Sequence, residues 1–337
     1  MNSTRALTKI KQAAFVDPAL FKAVLTVNAL FLNGLIGLIG IVANIINIIN
    51  FQKQGYKDGV NVTLTALAVS DLGVLITQLI IIQIYNPWLE ESSLLMLKPQ
   101  MLLLVIYINE YFIRASGFVT ACAAFERCLC VVLPMKVKLV MTRRVAAVVN
   151  ISIFIVLIVY VVGPNSLVYV GSRYIPEYNR TFAFVYYRDN REAIMNIFYI
   201  ADALFIPNIT MLMLLLFTVV LVTKLKSKFQ WRQMVSNSDQ RAKNSVTLKE
   251  RKAIAMLSTM SGIYVVCLLP HSALNLAVGL VDQLRAEGGY FDLTMLAYSS
   301  AVLFETVNCS VTAVVYFKMS SKYREIIYEM LPSRKKK

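Results

Sequence analysis

The sequence predicts an all-α membrane protein: a seven-transmembrane helix bundle with a short amphipathic stretch after the last span. Three observations carry that expectation. Of 337 residues, 58% are hydrophobic and only 16% charged, with a mean hydropathy of +0.62, which is too apolar for a soluble domain of this length. Seven apolar stretches lie near residues 26–50, 61–85, 99–131, 143–163, 194–223, 251–280 and 292–317. Each is long enough to cross ~30 Å of hydrocarbon, which takes roughly 20 helical residues. The basic residues, finally, gather on one side. Segments 51–60, 132–144, 224–252 and 318–337 carry a net +17, whereas 1–25, 86–99, 164–192 and 281–293 carry +1. Excess Lys and Arg marks the cytoplasmic side, so the N-terminus is expected outside and the C-terminus inside. The expected parts are an extracellular N-terminus (1–25), a membrane domain (26–317) and a cytoplasmic end (318–337).

Residues 1–25 mix Arg5, Lys9, Lys11, Asp17 and Lys22 with short apolar runs and show no cleavage site, so the first span is expected to act as its own targeting signal. That span holds Asn44 and the second holds Asp71. The long third span ends in Glu126-Arg127-Cys128, followed by Pro134 and the basic residues Lys136, Lys138, Arg143 and Arg144. Two charges at a hydrocarbon edge are expensive, and are kept where something must hold or release the arginine. The fifth span contains Pro207, the sixth Pro270 with Glu250 twenty residues before it, and the seventh Asn308 and Tyr316. Only the links 164–193 and 224–250 are long enough to hold structure of their own. Asn2 and Asn179 open glycosylation sequons on the expected outer side.

Several function classes are disfavoured. Cys122, Cys128, Cys130, Cys267 and Cys309 all fall in or at the inner ends of spans, so no extracellular disulfide is expected. His271 is the sole histidine, and no spacing suits zinc. A pI near 9.6 follows from topology and anionic inner-leaflet lipid, so nucleic acid is not an expected partner. No internal repeat supports a transporter. No enzyme motif stands out.

The order of polar marks resembles the rhodopsin-like (class A, family 1) G-protein-coupled receptors over roughly residues 26–331. "IVANIIN" with Asn44, "LAVSD" with Asp71, Glu126-Arg127-Cys128 with Pro134, Pro207 as a kink site, "CLLP" ending in Pro270, and "NCSVTAVVY" with Asn308 and Tyr316 follow in sequence. "FKMSSKYREIIYEML" then resembles that family's eighth helix, with Tyr323 at its aromatic position. The departures are Leu102 for the disulfide cysteine, Phe154 near the helix-four tryptophan, Leu268 for the helix-six tryptophan and Thr312-Ala313 for Asn-Pro. This divergent, disulfide-free pattern resembles invertebrate orphan receptors of peptide or chemosensory type.

The resemblance implies a plasma-membrane receptor that passes binding of an extracellular ligand to a heterotrimeric G protein through outward movement of helix six. It implies a resting bridge from Arg127 to Glu250, although Glu126 is the other candidate partner. It also implies a sodium ion at Asp71, with Asn44, Ser116, Asn308 and Thr312 as polar neighbours; a protonated, hydrogen-bonded carboxyl is the alternative. Nearer the expected outer end, Asn109, Glu110, Arg114, Asp202, His271, Asn275 and Glu305 are ligand-pocket candidates, because ionisable groups inside a membrane are functional by default. Glu110 and Arg114 stand i, i+4, and the other reading of them is a structural pair. The acidic residues suggest a cationic or strongly polar ligand, such as a peptide. Asn109 replaces the aspartate of amine receptors and Thr306 the lysine of opsins, which disfavours both. The rival readings are a multi-pass transporter or channel, and a receptor-like decoy that does not couple.

Overall fold

The computed structural model describes residues 16–56, 59–84, 86, 98–132, 141–176, 179–188, 194, 197–198, 200–201, 205–235, 240–284 and 288–330; the side chains of 228–254 are among those outside the described ones. Among these residues seven helices are long and apolar enough to cross a membrane. They are α1 (Pro18–Gln54), α2 (Gly59–Ile84), α3 (Lys98–Val132), α4 (Arg143–Ser166), α5 (Ile206–Val235), α6 (Gln240–Leu280) and α7 (Phe291–Met319), followed by the short α8 (Ser321–Met330).

The first helix starts eight residues before the expected position 26, and its first turn explains why. Asp17 accepts hydrogen bonds from the backbone N–H groups of Ala19 at 2.9 Å and Leu20 at 3.1 Å. Pro18, whose ring presets a helical φ and whose missing N–H would be unpaired anyway, occupies the first helical position. Lys22, one of the charges of the expected N-terminal segment, is exposed and can lift its ammonium toward water. A π-helical segment, Thr26–Asn33, interrupts α1. The helix ends at Gly55, with φ 81° and ψ 154°, a region essentially restricted to glycine. Within the expected fifth span, residues 194, 197–198 and 200 are helical, 201 and 205 are π-helical, and Ile206–Val235 is one α-helix that contains Pro207. Pro270 lies inside α6, as expected.

The bundle turns apolar side chains outward and polar ones inward. Ile39, Val148, Ile155, Val156, Leu212 and Val266 are exposed, while Asn44, Asn47, Asn50, Thr63, Asp71 and Ser116 are buried. Lipid solvates the first set, and the second must find partners within the protein. At the α8 end, Val119 and Ala123 of α3 pack with Leu64 and Leu67 of α2, Met256 and Met260 of α6, Tyr316 of α7 and Tyr323 of α8. Small residues allow close approach: a β-carbon on Gly40 of α1 would overlap Ser310 of α7 and Leu75 of α2.

The link after α4 does hold structure. Strands β1 (Val168–Ile175) and β2 (Arg180–Tyr187) pair antiparallel, from Val168 opposite Tyr187 to Ile175 opposite Arg180. The turn between them includes Asn179 at φ 49°, a conformation asparagine tolerates. The ladder and an Arg188 N–H bond to the Leu167 carbonyl at 3.0 Å close the hairpin, and all five cysteines are free thiols. At the far end, the Arg324 guanidinium donates to the Phe317 and Lys318 carbonyls at 2.9 and 2.8 Å, which satisfies the open end of α7.

Gly40→Val is expected to destabilise the protein by about 1–3 kcal/mol through overpacking. Gly34→Val should be neutral, since nothing lies within 4 Å of the added carbon. Thermal unfolding of both variants in detergent checks this; equal melting temperatures would refute the close packing of α1 against α7.

Candidate functional site

Three polar regions follow one another along the bundle. The first joins α3, α6 and α7 at the end away from α8. The Arg114 guanidinium lies 2.7 Å from the Glu110 carboxylate, so the i, i+4 spacing on α3 does form an ion pair. His271 Nδ1 of α6 lies 2.5 Å from Glu305 Oε1 of α7, with both side chains largely buried. Glu305 Oε2 also accepts from Gln78 of α2 at 3.4 Å. The Thr306 hydroxyl lies 2.9 Å from both Gln78 Oε1 and Asn33 Oδ1 of α1. Asn275 accepts from the Tyr298 hydroxyl at 2.7 Å, and the Tyr298 ring stands edge-on to His271. Asn109 turns instead to α2, donating to Thr77 Oγ1 at 2.8 Å and the Val74 carbonyl at 3.2 Å. Asp202 lies outside the described residues.

The second region is central. The Ser116 hydroxyl donates to Asp71 Oδ1 at 2.6 Å, joining α3 to α2. Asp71, Ser116, Thr120, Asn308 and Thr312 line a cavity of about 10 Å³, room for a single water-sized species. A second cavity of about 20 Å³ shares Ser116, Tyr264 and Asn308 with it and reaches Glu305. Gly117 leaves room for the Tyr264 hydroxyl beside them. Asn44, expected here, does not line the Asp71 cavity. Its amide is taken up by the carbonyls of Gly40 at 2.9 Å and Cys309 at 2.8 Å, so it joins α1 to the α7 backbone. Among the described residues no three His, Cys, Asp or Glu side chains form a metal cluster. A hard cation at Asp71 would therefore draw on hydroxyl and amide oxygens.

The third region lies at the α8 end. Glu126 is buried and accepts from Thr63 Oγ1 of α2 at 2.8 Å, and Asn150 of α4 donates to the same hydroxyl at 3.1 Å. The acidic half of the Glu-Arg pair therefore ties three helices together. Arg127 is half-buried and its Nε has no hydrogen-bond partner among the described residues. It lines a cavity of about 210 Å³ with Leu64, Met256, Tyr316, Lys322 and Tyr323. Glu250 falls within α6, but its side chain lies outside the described ones.

With this geometry in view, the family model described as 7 transmembrane receptor (rhodopsin family) matches residues 44–322, which is most of the chain. The protein belongs to the rhodopsin family of seven-transmembrane receptors. No curated protein matches the chain. As a member of this family it is a multi-pass membrane receptor.

The receptor also contains a polar ladder that runs beyond the family marks. Asn47 donates to Asn44 Oδ1 at 3.3 Å and to Thr312 Oγ1 at 3.5 Å, and accepts from the Tyr323 hydroxyl at 2.5 Å. Asn50 donates to the Tyr323 carbonyl at 3.0 Å. Burial pushes the Tyr323 phenol up to about 12, so it stays a donor at neutral pH. The signal was present as three asparagines spaced i, i+3, i+6, one face of an otherwise apolar helix.

The His271–Glu305 pair is testable. His271→Leu leaves Glu305 without its nearest partner and is expected to destabilise the receptor by about 3–5 kcal/mol. Adding Glu305→Met should recover part of that loss, because the carboxylate left without its partner is then gone. Thermal unfolding read by cysteine accessibility distinguishes this from a double variant that loses the sum of both single changes.

Proposed function

We infer that this receptor passes binding of an extracellular ligand to a heterotrimeric G protein by outward movement of α6. The observation that carries the reading is the continuous run of polar groups and small cavities from His271–Glu305, past Ser116 and Asp71, to Asn47, Tyr323 and the space beside Arg127. The asymmetry of Lys and Arg supports an N-terminus outside, so that the Arg127 end faces the cytoplasm. Inner-leaflet lipid and an acidic partner surface would both complement it.

At the outer end, among the described residues, Glu110 is paired with Arg114 and Glu305 with His271. A ligand would act by exchanging for one of these partners, which favours a strongly polar or cationic molecule, including a peptide. At Asp71 a sodium ion would be held by Asp71, Ser116, Asn308 and Thr312, balancing the carboxylate charge. At the inner end, Met256 packs against Leu64, Val119 and Tyr316, so outward movement of α6 would enlarge the cavity in front of Arg127. In the resting state a bridge from Arg127 to Glu250 opposes that movement, which makes α6 a two-state element biased by ligand. The exposed turn at Asn179 presents its sequon for glycosylation on the outer side.

Glu250→Gln is expected to raise basal signalling in transfected cells at matched surface level; an unchanged basal level counts against the lock. Arg127→Ala is expected to abolish the responses found in a ligand screen read through several chimeric G proteins. If the intact receptor answers through none of them while reaching the surface, the non-coupling decoy is the correct reading.

A further inference from the structure

The cavity beside Arg127 has a one-sided chemistry. Its lining includes two cations, Arg127 and Lys322, and no carboxylate among the described residues. Two polar atoms at this cavity lack hydrogen-bond partners among the described residues: Arg127 Nε and the hydroxyl of Tyr316, a residue only 1% exposed. A buried donor without a partner costs free energy, so a ligand that accepts from both would be stabilised.

The start of α8 adds to this. Ser320, Ser321, Lys322 and Tyr323 all line the cavity, and Ser321 is the first residue of α8. The N-terminus of a helix presents N–H groups and the positive end of its dipole. One of these groups is already used, since Tyr323 N–H donates to Ser320 Oγ at 3.2 Å. Lys322 is exposed and its ammonium lies 3.4 Å from the Gln54 carbonyl, so its charge is not neutralised by that contact. The remaining wall is apolar: Phe51, Leu64, Met256 and Met319.

We propose that this cavity is a binding site for a phosphate monoester carrying a short apolar chain. The phosphate meets Arg127, Lys322, the Tyr316 hydroxyl and the first turn of α8, and the chain lies on Phe51, Leu64 and Met319. Several convergent donors suit three phosphate oxygens better than one point charge would. The same group is presented by a lipid such as phosphatidate or by a soluble alkyl phosphate. Binding here would exchange with the proposed bridge from Arg127 to Glu250, and it is read by unfolding alone, with no signalling partner present.

The test uses the purified full-length chain and thermal unfolding followed by reaction of its buried cysteines with a thiol dye. Hexyl phosphate is expected to raise the melting temperature saturably, inorganic phosphate far less, and dihexanoyl phosphatidylcholine not at all. Lys322→Gln, a change at an exposed position, should weaken hexyl phosphate about tenfold or more, as loss of a charge-assisted contact does. Tyr316→Phe should weaken it about 2–10-fold. In nanodiscs, phosphatidate that stabilises the protein and removes the effect of added hexyl phosphate assigns the lipid as the source. Stabilisation by hexyl phosphate alone assigns a soluble ligand. No saturable shift with any phosphate probe, an equal shift with phosphatidylcholine, or full retention of binding in both variants overturns the proposal.

Discussion

Inside hydrocarbon there is no water to satisfy a polar group, so burying one in the bundle is costly unless another part of the chain meets it. This constraint organises the interior. Asp71 is reached by Ser116, Glu126 by Thr63, Glu305 by His271 and Gln78, and Asn44 bonds the backbone of α7. Nearly all of these contacts cross between helices. The groups that are costly to bury therefore set which helices are neighbours and in what register, while the apolar residues facing lipid are interchangeable in kind.

The same constraint accounts for how the receptor accommodates its departures from the family pattern. Where the family carries Asn-Pro in helix seven, this chain has Thr312-Ala313. Thr312 alone offers one short hydroxyl, and Asn47 of α1 reaches across to it. Asn47 also accepts from Tyr323, whose ring lies 5.6 Å from that of Tyr316. The junction of α7 and α8 is thus bonded to α1 through an amide, in a bundle whose five cysteines are all free.

Much of the fold was legible because a membrane span is a composition as well as a pattern. Twenty apolar residues mark a helix wherever it packs, and the seven spans fall close to where hydropathy places them. The boundaries were less legible. Residues 1–25 carry several charges, yet an exposed lysine such as Lys22 is tolerated near the start of α1, and Asp17-Pro18 was the better signal. For the sites, the i, i+4 pair of Glu110 and Arg114 was readable because both lie on one helix. The contacts of His271 with Glu305, of Glu126 with Thr63 and of Asn47 with Tyr323 were not, because each depends on how separate helices are rotated about their axes. Asn44 shows the limit from the other side: its position was found, but its partner is α7 backbone, not the Asp71 cavity.

The distribution of paired and unpaired charge differs between the two ends of the bundle. Near His271, among the described residues, Glu110 has Arg114 beside it and Glu305 has His271. Beside Arg127 the acid adjacent in sequence has been drawn away by Thr63 and Asn150. That diversion leaves the guanidinium facing open volume rather than its own neighbour. If Glu126 bonded Arg127 directly, the arginine would be neutralised locally and α2, α3 and α4 would lose a shared anchor. One hydroxyl on α2 therefore does two things at once: it joins three helices and engages the carboxylate that stands next to Arg127 in sequence.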